Sequence, residues 1–180
     1  IAPVTIKSRK GEQVVATDET PFQLDIDKIP TLKPAFGKDG TVTAASSSSI
    51  SDGAAAIVLM SESAARAAGL KPLARLVSYA SHAQAPEWFT TAPAPSMQKA
   101  LDRAGWKVAE VDLFEINEAF ACVAMAAMRD LGLRHDQVNA NGGACAMGHP
   151  VGATGARLIT TLPYALRKRG LRRGVASQCI

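Results

Sequence analysis

From Ser51 onward, apolar runs of strand length alternate with runs of helical periodicity, and this alternation restricts the fold more than any other feature. Residues 54–60 read as a buried strand. Ser61 caps a short helix, 62–68, that stops at Gly69. A second strand is expected at 74–80, a helix at 95–104 ended by Gly105, and a third strand at 111–116. A long apolar helix follows at 118–131, closed by Gly132, then a short fourth strand at 137–140. The last pair is a helix at 152–169 and a strand at 174–179. Strands alternating with helices imply an α/β fold: a mainly parallel sheet with helices packed on it.

One turn in this series is unusual. Residues 139–157 hold Gly142, Gly143, Gly148, Gly152 and Gly155 around a single histidine, His149. Glycines let the backbone bend sharply and let a ligand approach. The run then passes into a helical pattern, so it reads as a ligand-facing strand-to-helix turn. A histidine held there can move protons near neutral pH.

Residues 1–45 differ in character. Pro3, Pro21, Pro30 and Pro34 are separated by charges and turns, with two short extended pieces at 4–7 and 13–17. They read as the tail of another subdomain. The serine run 46–49 is either a flexible linker or a ligand-lining loop. The chain begins at Ile1 rather than Met and stops straight after a strand, which suggests that more protein belongs with it.

Composition narrows the class. Hydrophobic residues make up 47% and charged residues 20% of 180, as in a globular protein. No apolar run approaches the length of a membrane span, so no membrane partner is expected. Net charge is +4. Arg167, Lys168, Arg169, Arg172 and Arg173 cluster, and a solvated helix end explains them better than nucleic acid does. A phosphate-bearing small ligand also suits the positive balance. Three cysteines, Cys122, Cys145 and Cys179, do not form a disulfide framework. A reducing, cytoplasmic compartment is expected, and no metal site.

Three positions share a topological place. Asn117 and Glu118 follow the third strand, His149 follows the fourth, and Cys179 ends the last. Glu118 to His149 is 31 residues and His149 to Cys179 is 30, each about one βα unit. The carboxyl ends of parallel strands share one edge, where ligands bind. Each residue has an ordinary reading too. His149 can cap a helix, Asn117 can be an N-cap, Glu118 a first-turn acid, and Cys179 a core cysteine. Cys122 reads as core and Cys145 as structural, near the site. His82 and His135 read as exposed, without a role. Together, a thiol, an imidazole and an amide suit chemistry at a carbonyl with a proton moved on the adjacent carbon.

The motifs Asn117-Glu118-Ala119-Phe120-Ala121, Asn141-Gly142-Gly143-Ala144, Gly148-His149-Pro150-Val151-Gly152-Ala153-Thr154-Gly155-Ala156-Arg157 and Cys179-Ile180 closely resemble the C-terminal half of thiolases. Asp39-Gly40-Thr41-Val42-Thr43-Ala44 and Ser51-Asp52-Gly53-Ala54-Ala55 fit the same family, and the match covers essentially the whole chain. The resemblance implies a parallel-dominated mixed sheet with helices on both faces, one half of a layered αβαβα fold. Residues 1–45 would be the tail of the loop subdomain that binds coenzyme A. Residues 46–180 would be the C-terminal domain without its last strand.

The resemblance also implies acyl transfer between coenzyme A thioesters. Two acetyl-CoA condense to acetoacetyl-CoA, or a 3-ketoacyl-CoA is cleaved by free CoA. His149 would activate a nucleophilic cysteine that lies outside these 180 residues and help form an oxyanion hole. Cys179 would act as acid/base, and Asn117 would hold a water completing that hole. Ser48 would contact the pantetheine arm, Arg9 the nucleotide phosphates, and Phe120 and Gly148 would line the substrate site. Coenzyme A enters as substrate, no cofactor is expected, and the family implies a homodimer or homotetramer. Serines stand at 46 and 49 where the family usually has Asn and Gly. Without the N-terminal half and the glycine-rich strand after Ile180, this piece alone is expected to be inactive. Two alternatives stay open: a degradative thiolase of longer 3-ketoacyl-CoA chains, and a non-catalytic CoA-binding fragment.

Overall fold

The computed structural model describes residues 1–179 and divides into two compact units, Ile1–Lys33 and Pro34–Ile180. In the first, strand β1 (Val4–Ser8) pairs antiparallel with β2 (Gly11–Val15) in the register Val4↔Val15 to Ser8↔Gly11. The hairpin turns at Arg9 and Lys10, and Gly11 takes a φ of 115° that an L side chain resists. A short helix α1 (Thr20–Gln23) and a 3₁₀ turn (Ile26–Thr31) complete this unit.

The second unit is built around strand β3 (Leu113–Ile116), all four residues of which are buried. It is preceded by helix α2 (Glu62–Ala67) and helix α3 (Pro93–Ala104), and followed by α4 (Ala121–Leu131), α5 (Ala144–Met147), α6 (Thr154–Lys168) and β4 (Gly174–Ser177). Strands β3 and β4 are parallel, with Leu113 opposite Gly174 and Ile116 opposite Ser177. On the other side of β3, a single parallel bridge joins Phe114 to Val138. The fold class is therefore α/β with parallel strands, as the alternation predicts.

Side-chain alternation along β3 sorts the core into two layers. Phe114 and Ile116 pack with Ala94, Met97 and Leu101 of α3 and with Val123, Ala124 and Ala127 of α4. Leu113 packs on the opposite face, against Leu162, Ala165 and Leu166 of α6. Helices thus cover both faces of the strand pair. The expected glycine stops hold: Gly105 and Gly132 close α3 and α4 with φ of 67° and 66°. Ser61 caps α2, its hydroxyl accepting from the Ala64 N–H at 3.2 Å.

Three expectations are corrected. Residues 54–60 and 74–80 form no strand; no neighbouring strand pairs with them among the described residues, and Val58, Leu59, Leu76 and Tyr79 are exposed. Helix α4 begins at Ala121 rather than at 118, because tertiary pairing holds the preceding residues extended. Ser47 bridges Phe120, and the Ser48 N–H donates to the Ala119 carbonyl at 3.2 Å. The fourth strand shrinks to the Val138 bridge, because Asn139 turns left-handed at a φ of 49°. Its amide replaces the ladder instead. It donates to the Ile116 carbonyl at 2.9 Å and accepts from the Ile116 N–H at 2.8 Å.

Candidate functional site

Both parallel strands end on one edge, and the site is assembled there. Asn117 is the first residue past β3, and its N–H donates to the Ser177 carbonyl at 2.9 Å. Its side chain has no solvent exposure, and it caps no helix. The Asn117 Nδ2 lies 3.2 Å from His149 Nε2. The Oδ1 of the same amide is buried without a hydrogen-bond partner among the described residues. Buried amide oxygens are usually paired, so this one is suited to accept from a bound water or a ligand.

His149 is fixed from two sides. Its N–H donates to the Ser49 carbonyl at 2.8 Å, and its Nδ1 lies 2.6 Å from the hydroxyl of Thr154. Partial burial lowers the imidazole pKa below the ordinary histidine value, and the nearby Arg157 guanidinium lowers it further. The ring is therefore neutral near pH 7, with a lone pair available to take a proton. Sequence reasoning singles out His149 but passes over Thr154, which is fully buried five residues on.

The serine run is fixed in place rather than a free linker. The Ser46 hydroxyl accepts from the Thr43 N–H at 2.9 Å, and the Ser47 hydroxyl donates to the Thr43 carbonyl at 2.7 Å. The Ser48 hydroxyl donates to the Ala119 carbonyl at 3.2 Å. The run passes between the segment after β3 and the histidine turn, bridging Phe120 at Ser47 and His149 at Ile50. Phe120 stands in an aromatic group, with its ring edge-on to Phe36 at 5.7 Å and to Phe89 at 6.5 Å.

Glu118 does not act as a first-turn acid of α4. Its carboxylate accepts from the Asn139 amide at 2.7 Å and from the Cys145 N–H at 3.1 Å, clasping the glycine turn to the edge of β3. A Cβ on Gly143 would overlap that carboxylate. Gly148 has a φ of 86°, and a Cβ there would strike the Ser51 side chain. Both glycines are thus dictated by close approach rather than by a free loop.

Cys179 lies two residues past β4, buried in the core layer shared with α3 and α4. Burial pushes its thiol above the ordinary cysteine value, so it rests protonated. The structure brings Asn117 and His149 into contact; the Cys179 thiol makes no hydrogen bond to either among the described residues. Cys145 is pushed up to about 11, by burial first and then by the Glu118 carboxylate. Cys122 corrects the sequence reading: it is exposed, because the buried stripe of α4 runs through Val123, Ala124 and Ala127. His82 also differs from expectation. It is half-buried, its Nδ1 3.0 Å from Lys99 Nζ and its Nε2 3.1 Å from Gln84 Oε1. Arg9 is exposed in the hairpin turn of the first unit.

Of the clustered cations, Arg167 and Lys168 occupy the last turn of α6. Arg169 donates to the Ala140 carbonyl and to Asn141. Arg173 pairs with Glu110 at 2.7 Å and covers the Trp106 ring at 4.9 Å. Among the described residues no helix is long and apolar enough to cross a membrane, and no group of three His, Cys, Asp or Glu is placed to hold a metal ion.

Comparison with known proteins decides the family. Residues 70–180 match the profile described as "Thiolase, C-terminal domain", and residues 1–63 match "Thiolase, N-terminal domain". The chain belongs to the thiolase family. It is 48% identical over 181 aligned positions to the acetyl-CoA acetyltransferase of Paracoccus denitrificans, covering 100% of this chain and 46% of that protein. It is 49% identical to the acetyl-CoA acetyltransferase of Escherichia coli K12, with the same coverage. Among solved structures, the Bacillus anthracis acetyl-CoA acetyltransferase superposes with a TM-score of 0.91 at 45% identity, over 100% of this chain and 46% of that one. Human mitochondrial 3-ketoacyl-CoA thiolase does so with a TM-score of 0.86 at 39% identity, over 99% of this chain and 46% of that one. This thiolase chain thus spans a little under half the length of the relatives it matches.

Proposed function

We propose that this chain carries one part of the active site of a thiolase that transfers acyl groups between coenzyme A thioesters. The reaction is condensation of two acetyl-CoA to acetoacetyl-CoA and the reverse thiolysis. The observation that carries this reading is the contact between Asn117 Nδ2 and His149 Nε2 at the carboxyl edge of the parallel strands. Its support from relatives is the acetyl-CoA acetyltransferase name shared by the bacterial proteins.

In this reading a cysteine outside these 180 residues gives its proton to His149 Nε2 and attacks a carbonyl carbon, that of the acetyl-CoA thioester in condensation and the 3-keto carbon of acetoacetyl-CoA in thiolysis. The lowered pKa of His149 suits it to be neutral beforehand. As the carbonyl oxygen gains charge, His149 and a water held on Asn117 face it. In thiolysis the bond between the 3-keto carbon and the α-carbon breaks, the Cys179 thiol gives a proton to the departing α-carbon, and the thiolate so formed takes the proton of the incoming CoA; the CoA sulfur then displaces the acyl-carrying cysteine, which recovers its proton from His149. One proton leaves and one returns, so Cys179 ends as it began. Ser48, Phe120, Gly148 and Arg9 contact the coenzyme A substrate, and no cofactor takes part. The rest of the thiolase fold supplies the acyl-carrying cysteine and covers the apolar segments 54–60 and 74–80. The enzyme works as a homo-oligomer. Three free thiols are in keeping with a reducing compartment, the cytoplasm.

The test is thiolysis of acetoacetyl-CoA by the intact polypeptide, followed as loss of the substrate enolate absorbance. His149→Ala and Cys179→Ser are each expected to lower kcat by roughly 10²–10⁴-fold, the contribution of a positioned acid–base group. The 180-residue piece alone is expected to show no turnover. Full activity in both variants would overturn the reading. A clear preference for a longer 3-ketoacyl-CoA in the same assay would move it to the degradative thiolases.

A further inference from the structure

We propose that Thr154 is the positioning residue of this site: by accepting the Nδ1–H of His149 it fixes the imidazole in the tautomer whose Nε2 is bare. The inference rests on the reading of His149 as the proton-transfer group, and it names how that group is set.

The protons available along three contacts fix the tautomer. Pro150 O lies 3.1 Å from the Thr154 hydroxyl, the hydroxyl lies 2.6 Å from His149 Nδ1, and His149 Nε2 lies 3.2 Å from Asn117 Nδ2. A hydroxyl carries one proton. If Thr154 donates to the Pro150 carbonyl, its oxygen must accept from Nδ1–H. Nε2 is then a lone pair, which the Asn117 amide N–H can meet, and all three contacts are hydrogen bonds. If Thr154 instead donates to Nδ1, its oxygen faces the Pro150 carbonyl with no proton between them. Nε2–H then also points at Asn117 Nδ2–H, and two of the three contacts are repulsive. Turning the Asn117 amide over repairs only one of them. The first arrangement is the one without a conflict.

Local structure explains why the threonine is available. Thr154 is the first residue of α6, and its N–H donates to the Pro150 carbonyl at 2.9 Å. A threonine in that place bonds back to the carbonyl four residues earlier. Because Pro150 directly follows His149, the same turn that starts the helix sets the ring. Thr154 is fully buried, so water does not compete for its hydroxyl. In general the protonated nitrogen of a histidine is chosen by the bond its other nitrogen makes. Here that choice leaves Nε2, on the side of Asn117, as the atom that receives a proton.

The experiment is ¹⁵N NMR of the intact polypeptide labelled at histidine, recorded above the histidine titration, with His149 assigned by its loss in His149→Ala. The wild type is expected to show a protonated Nδ1 and a bare Nε2. Thr154→Val should release the ring to the opposite or a mixed tautomer, while Thr154→Ser should keep the wild-type pattern. In thiolysis, Thr154→Val should lower kcat by roughly 100-fold, the low end of what acid–base positioning contributes, with little change in KM. Thr154→Ser should restore most of that loss. A wild-type spectrum with the proton on Nε2 overturns the proposal, and so does a Thr154→Val spectrum unchanged from wild type. Should Thr154→Val fail to fold, the wild-type spectrum decides alone. A correct tautomer in a polypeptide without thiolysis would count against the enzymatic reading and leave this one standing.

Discussion

Residues 113–116 and 54–60 are both short, largely apolar runs, yet one is the buried centre of the fold and the other is a largely exposed segment without regular structure. Strand β3 has a partner on each side, β4 in parallel and the Val138 bridge, and a helical layer on each face. Residues 54–60 have neither, and Val58 is 84% exposed where Ile116 is 0% exposed. The difference teaches that strand composition is a request for neighbours rather than a structure. A row of unpaired N–H and C=O groups is satisfied by another strand or by water, and local sequence does not choose between them.

The largest expected effect tests this contrast directly. Phe114 is 1% exposed and belongs to the core cluster that holds residues of α3 and α4. Phe114→Ala should cost about 3–5 kcal/mol in chemical denaturation of the 180-residue chain, the range for large aromatic truncations in a core. Val58→Ala in the same chain should stay within about 0.5 kcal/mol. Comparable losses at the two positions would mean that residues 54–60 are as covered as β3. Repeating Val58→Ala in the intact polypeptide sharpens the point, since a cost there alone would show that the rest of the protein covers this segment.

How much was legible in the sequence follows the same division. The helices announced themselves through local signals: the Ser61 cap and the glycine stops at Gly105 and Gly132 are decided within one turn of chain. His149, Asn117 and Cys179 were found because each follows a strand, and the parallel pairing does put Asn117 and Cys179 just past the same edge. What the sequence hid is side-chain replacement of backbone. Asn139 bonds Ile116 in place of a strand, and Glu118 bonds the Cys145 N–H from 27 positions away. No period or cap rule reports such pairs. Thr154 was hidden for another reason. A threonine at a helix start reads as ordinary capping chemistry, and only its distance to Nδ1 gives it a second role.

A smaller effect is expected at Asn139, which ends the packed region as a strand would. Asn139→Ala removes both bonds to Ile116 and leaves a buried N–H and C=O unpaired. The cost should be about 1–3 kcal/mol. Asn139→Gly loses the same bonds but relieves the φ of 49°, so it should be the milder variant. Urea midpoints of the two variants settle the order. A glycine variant less stable than the alanine would show that the left-handed backbone carries no strain.

The smallest effect compares two glutamates, one from each region. Glu62 pairs with Arg66 on the exposed surface of α2, and Glu62→Gln should change stability by a few tenths of a kcal/mol at most (roughly 0.2–0.5). Glu115 is buried on the face of β3 that meets α6, with Arg157 Nη1 at 3.2 Å. Burial raises its pKa above the ordinary carboxylate value, outweighing the guanidinium, which pulls it down. A carboxyl whose folded pKa is raised binds its proton more readily folded than unfolded. Its contribution is therefore complete below the unfolded value and is lost as pH rises through the folded one. The stability of wild type minus that of Glu115→Gln should fall as pH climbs from the unfolded carboxylate range through the folded value, and then level. A Glu115 difference that rises with pH would mean that the ion pair with Arg157 outweighs burial, and that the packed region holds its charge as a stabilising pair.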